Sequence, residues 1–236
     1  DTSNNHIEGD QTARVAANVT VRLQNICQIS KKNATVTGTL EATNRAGRNR
    51  EMARQMAIRT IGLRKDMEAI LLSNQAFSST EPRTTRGIEA WLRTNTVRNT
   101  GASGADPADP VATPATTATD GTQRAFTEAM LKDCLQQIYT AGGTPKIALM
   151  GPHVKQVASD FTGRANSRQN IDATTISQAT DLYKSDFGTV RFVTHRYLRS
   201  NGRSVLCVDP QYAKVAYLRK FKRYKLGRIG DAETNE

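Results

Sequence analysis

The chain is short of the residues that carry chemistry. Its three cysteines, Cys27, Cys134 and Cys207, stand far apart in 236 residues with no C-x-x-C pair, which points to neither a disulfide framework nor a zinc site. His6, His153 and His195 have no acidic or cysteine partner at ligand spacing, and His6-Ile7-Glu8 lacks the downstream P-C-x-x-C of a zinc deaminase. Phosphate-loop, dinucleotide, zinc-protease and nucleophile-elbow motifs are missing as well. Gly142-Gly143 and Gly151-Pro152 are accounted for as a helix stop and a helix start. We therefore expect no catalytic residue, no cofactor, no metal and no enzyme. No apolar run reaches 18 residues, so no membrane span is expected, and the N-terminal residues do not read as a signal peptide.

Core-forming mass is scarce too. Leu, Ile, Val and Phe make up about 19% of the residues, just under the level at which a highly charged chain starts to look disordered. Periodic segments argue against disorder, so the expectation is a thin core that neighbouring copies complete. Charge, by contrast, is abundant: 33 Lys and Arg against 22 Asp and Glu leave +11, which favours a polyanionic partner.

Residues 41–73 contain no proline, and Met52, Met56, Leu63, Met67 and Leu71 recur at helical spacing. This predicts one long helix of roughly 48 Å, too densely lined with Arg45, Arg48, Arg50, Arg54 and Arg59 to be buried all round. Residues 1–12 are polar and extended. In residues 13–40, Val19, Val21 and Leu23 alternate with polar residues, as do Val36, Gly38 and Leu40, around a turn at Ser30-Lys31-Lys32-Asn33. This predicts a projecting hairpin with arms on the order of 40 Å. A lone two-stranded hairpin is marginal in water, so Val21, Lys31, Lys32 and Val36 are candidates for contact with another subunit.

Residues 77–98 hold the single tryptophan, Trp91, as a core anchor, and residues 99–122, rich in Ala, Thr, Gly and Pro, read as a surface linker between two domains. Beyond it Thr127 is the expected N-cap of a helix stapled by Phe126 and Leu131. A strand over 145–150, a helix opened by Pro152, a polar loop over 162–183 and two strands, 187–197 and 204–209, follow. Asn201-Gly202 signals a tight hairpin between the last two. The order implies helices covering a small sheet, an α+β fold. Residues 214–228 carry Lys214, Arg219, Lys220, Lys222, Arg223, Lys225 and Arg228 and no acid, interleaved with Tyr217, Phe221 and Tyr224. That composition suits phosphates and stacked bases; it also suits a strand with one solvated basic face. These seven are the candidate DNA-facing residues.

The succession of HIEGD (6–10), QISKKNATVTGTLEA (28–42), AGRNREMARQMA (46–57), LRKDMEAILLSNQA (63–76), FTEAMLKDCLQQIYTAGGTPKIALMGP (126–152), YKSDFGTVRFVTHRYL (183–198) and LGRIGDAE (226–233) resembles the major capsid proteins of tailed bacteriophages with the HK97-like fold. The resemblance implies an N-terminal arm over 1–12, an extended E-loop hairpin over 13–40 and a peripheral (P) domain with a spine helix over 41–98. It further implies a linker over 99–124, an α/β axial (A) domain over 125–209 and a return to the P domain over 210–236. It implies a shell of hexamers and pentamers around double-stranded DNA, with portal, scaffold or decoration proteins as further partners, located in the virion and assembled in the host cytoplasm. Lysine–asparagine cross-linking, known for some relatives, is not carried over to Lys31, Lys32 and Asn33. The competing readings are a non-specific nucleic-acid-binding, nucleoid-type protein and an encapsulin-like compartment shell.

Overall fold

The computed structural model describes residues 8–9, 16–17, 20, 22–43, 47, 50–98, 104–108, 116–161, 181–198 and 202–236. The expected long helix is present but shorter. Gly47 takes φ +79, a left-handed conformation that no continuous helix passes through, so a short helix α1 (Gly38–Ala42) precedes the spine α2 (Glu51–Leu71). Its 21 residues span about 31 Å. Arg50, at the N-cap, offers no side-chain cap. Instead the Glu41 carboxylate accepts the Glu51 and Met52 backbone N–H groups, each at 3.1 Å, placing a negative charge where the helix dipole favours one.

Residues 22–33 form no strand, and the second predicted arm pairs elsewhere. Strand β1 (Ala34–Thr37) runs antiparallel to the C-terminal strand β6 (Ala232–Asn235), with Val36 opposite Glu233. Gly38, Thr39 and Leu40 turn helical rather than extended because Asp231 caps α1: its carboxylate accepts Thr39 N–H at 3.0 Å and Thr39 Oγ1–H at 3.1 Å. Any Cβ on Gly38 would collide with that carboxylate. The stretch 22–37 is therefore a strap along the spine. Asn25 Oδ1 accepts the Arg86 N–H at 2.9 Å, and Gln28 Oε1 accepts from Gln75 and Thr85 at 3.2 Å each. Lys32 crosses Gly62, whose missing side chain makes room, and reaches Asp66 at 2.6 Å. Ala34 and Val36 then close a small core with Met52, Met56 and Leu40.

The second body follows its local signals closely. Helix α3 (Glu128–Thr140) begins after Thr127, with Phe126 and Leu131 in one apolar cluster. It ends in a double turn where Gly142, at φ +84, donates to Tyr139 O and Gly143 donates to Ile138 O, each at 2.9 Å. Strand β2 (Ile147–Met150) leads through Gly151 into α4 (Pro152–Ser159). Strand β3 (Leu182–Ser185) lies at the end of the segment expected to be a loop, and its Tyr183 is buried in the core; residues 162–180 are outside the described part. A two-residue connection at Asp186-Phe187 joins β3 to β4 (Gly188–Thr194).

The predicted Asn201-Gly202 hairpin is not formed. The sheet order is β3-β4-β2-β5, so β2 separates β4 from β5 (Val205–Val208), lying parallel to the first and antiparallel to the second. Gly202 does take a positive φ, +74, but uses it to pass the end of β2 against Gly151, where a Cβ on either glycine would strike the other's backbone. One face of the sheet, with Ala148, Met150, Val190, Phe192 and Tyr183, packs under α3 and α4 as the main core. The mixed α/β arrangement agrees with the α+β expectation.

The described parts of 99–122 are packed rather than free. Asn74 accepts the Ala118 N–H at 2.9 Å and donates to its carbonyl at 2.6 Å. Ala105 and Thr119 exchange backbone hydrogen bonds, and Ala118 is buried. Composition alone missed this because the pairing is made by one asparagine at the end of the spine.

Candidate functional site

The basic stretch lies entirely on the outside. Every residue from 210 to 231 is exposed, including Tyr212, Val215, Tyr217, Leu218, Phe221, Tyr224, Leu226 and Ile229. It is not a regular strand: residues 214–223 make no backbone hydrogen bond to another described segment. At its far end Tyr224 and Leu226 pair with Glu236 and Thr234, which adds a third short row beside β6 and β1. Lys225 reaches Glu233 at 2.7 Å, and Arg228 lies 3.7 Å from Asp231. Lys214, Arg219, Lys220, Lys222 and Arg223 have no acidic partner at ion-pair distance among the described residues. Five of the seven predicted cations thus lack a close ion pair among the described residues, although Arg223 still acts on Glu233 from a distance. Phe221 meets the spine through Arg64, whose guanidinium lies 5.9 Å from the ring centre.

The two partnered carboxylates are shifted. Thr39 N–H and Oγ1–H hold the Asp231 carboxyl below the usual range, and Lys225 does the same for Glu233. Both lie at the seam between β1, α1 and the C-terminal residues.

The predicted hairpin residues divide. Val21 falls outside the described residues. Val36 is buried in its own chain's core, Lys32 is paired with Asp66, and Lys31, largely exposed, reaches Glu236 at 3.2 Å. The apolar side chains that the strap does present outward are Leu23 and Ile29.

An open cleft of about 1900 Å³ separates the spine from the second body. Across it His195 Nε2 meets Glu68 Oε1 at 2.6 Å, while His195 Nδ1 accepts the Tyr197 N–H at 3.1 Å. The second bond fixes the ring: with Nδ1 accepting, Nε2 carries the proton that goes to Glu68. Sequence spacing could not reveal a partner 127 residues away. Below the cleft Arg86 is sandwiched between Phe77 and Trp91, 4.8 and 4.5 Å from the ring centres. No group of three or more His, Cys, Asp or Glu suited to a metal occurs among the described residues, and no helix among them is long and apolar enough to cross a membrane.

The strip is thus apolar, basic and exposed along its length. The "Major capsid protein" of Escherichia phage Phieco32 is 29% identical over 202 residues, covering 72% of this chain and 57% of that protein. The chain thus spans a little over half of that relative's length. The family model described as SU10 major capsid protein matches residues 1–236. Membership in a family of structural proteins excludes an enzyme: the chain belongs to the SU10 major capsid protein family.

Proposed function

We propose that this capsid protein forms the shell of a tailed-phage head with the HK97-like arrangement. Residues 41–98 and 210–236 form its peripheral domain, residues 125–209 its axial domain, and hexamers and pentamers close an icosahedral shell in the host cytoplasm. The observation that carries this reading is the strip 210–231. Eight large apolar side chains stand in water along it, and residues 214–223 make no backbone hydrogen bond to another described segment; an exposed apolar patch of this kind marks a contact surface for another chain. The strap contributes Leu23, Ile29 and Lys31 to the same purpose: in place of a free hairpin, it offers a ridge held along the spine for a neighbouring subunit. Packaged double-stranded DNA is the second, non-specific partner, met by the exposed cations of the strip. Purified protein viewed by negative-stain microscopy without DNA is expected to show rings or closed shells. A chain that stays monomeric at high concentration and merely binds DNA would favour the nucleoid-type reading instead.

A further inference from the structure

Cys134 and Cys207, unremarkable in the sequence, are brought together by the fold. Cys134 lies on the face of α3 marked by Leu131 and Leu135, both in the main core. Cys207 sits on β5 directly opposite Ala148 of β2. Opposed residues of an antiparallel pair project to the same side of the sheet, and Ala148 belongs to the core under α3, so Cys207 points into that layer too. There Cys207 packs against the core beside α3, and the two thiols are near enough for each to shift the other's titration. Both line the open cleft, Cys134 half-buried at its wall, so a small solute has a path to the pair.

We propose that Cys134 and Cys207 are a redox-active dithiol, which a small disulfide oxidant converts to an intrachain bond tying α3 to the edge strand β5.

The environment assigns the roles. The neighbouring Cys207 thiol lowers the Cys134 pKa, whereas Cys134 and burial raise that of Cys207. Cys134 is the attacking group, since the thiolate is the nucleophile. Its thiolate attacks one sulfur of glutathione disulfide; a mixed disulfide forms and one glutathione thiolate leaves, taking up a proton from water. Cys207 then loses its proton to solvent and attacks the Cys134 sulfur, expelling the second glutathione thiolate. Two protein thiols are oxidised to one disulfide, and one small disulfide is reduced to two thiols. The bond forms when the protein passes from reducing to oxidising surroundings, and it closes the segment between β5 and α3 into a covalent loop.

The test uses the unaltered chain, treated under native conditions with glutathione disulfide. The expected result is loss of two free thiols with no glutathione retained on them, a proteolytic cross-link joining the peptides of Cys134 and Cys207, and a mass for that linked pair two hydrogen atoms below the sum of its separate peptides, whatever adduct exposed Cys27 carries. Dithiothreitol should reverse all three. In Cys207→Ser the glutathione should remain on Cys134 as a stable mixed disulfide. Stable glutathione adducts on both cysteines of the unaltered protein, disulfide-linked dimers through either one, or both thiols untouched while Cys27 reacts would each overturn the proposal. None of these outcomes depends on shell formation.

Discussion

Arg86 illustrates how one side chain can organise its surroundings without any polar motif. It is only 3% exposed, its guanidinium lies between the Phe77 and Trp91 rings, and its N–H is held by Asn25 of the strap. Burial lowers its pKa from the ordinary arginine value, yet so strong a base stays charged, and the ring faces take over part of what water supplied. Trp91, expected as a core anchor, is only half-buried and lies outside both core clusters, where its ring forms one wall around Arg86. Arg86 was not legible, because its burial depends on two rings that only the fold brings around it. Arg86→Ala is expected to cost about 3 kcal/mol through lost packing and stacking, read as a lower urea midpoint and a red-shifted Trp91 emission. Arg86→Lys keeps the charge but not the flat surface, so it should recover only part of that loss; full recovery would show that charge alone matters at this site.

The elements that the sequence foretold are those whose instructions are local. Helices α3 and α4 carry their own start and stop residues within a few positions, and the structure follows them. The misread elements depend on partners far along the chain. Residues 38–40 alternate like a strand, but Asp231, nearly two hundred residues on, caps them into a helix. Asn201-Gly202 has the conformational signature of a hairpin, and Gly202 does adopt the positive φ; what no dipeptide encodes is that β2 occupies the place between β4 and β5. The crossover makes its own prediction. Gly151→Ala, a change that costs only a fraction of a kcal/mol at an ordinary helix N-cap, should here destabilise by more than about 1 kcal/mol because the methyl meets the backbone of Gly202.

The seam that caps α1 also sets an acid limit. Asp231 and Glu233 have folded-state pKa values below their ordinary ones, so the stability they contribute is present above the unfolded values near 4 and is lost as the pH falls through the depressed folded ones. Unfolding midpoints followed from pH 6 to pH 2 should fall in the unaltered chain below about pH 4. Asp231→Asn should start lower and show a smaller decline over the same window. Equal declines would remove Asp231 from the account.

At the scale of the whole molecule, composition gave the charge and the thin core, and the fold shows where each is resolved. The chain's excess of +11 is not spread evenly: Lys214, Arg219, Lys220, Lys222 and Arg223 lie together on one exposed strip, where Glu233 and Asp231 pair with Lys225 and Arg228. The missing core is replaced in part by side-chain stitching, as Asn25, Gln28 and Lys32 hold the strap to the spine, and in part by apolar surface left open along residues 210–231. The proposed function gives that strip two partners, a neighbouring subunit and DNA, and salt separates them. Apolar contact with a neighbouring subunit is little weakened by added salt, whereas phosphate contacts release counterions, with about 0.9 in the logarithmic slope for each phosphate neutralised. Replacing Lys220, Lys222 and Arg223 together by glutamine leaves every apolar side chain of the strip in place. If DNA is the partner of these cations, the slope of log affinity against log salt should fall by about 3, equally on unrelated DNA sequences, while assembly of the shell continues. If instead the three cations serve the neighbour's acids, assembly itself should fail in the triple variant and the DNA slope of the unassembled chain should stay unchanged.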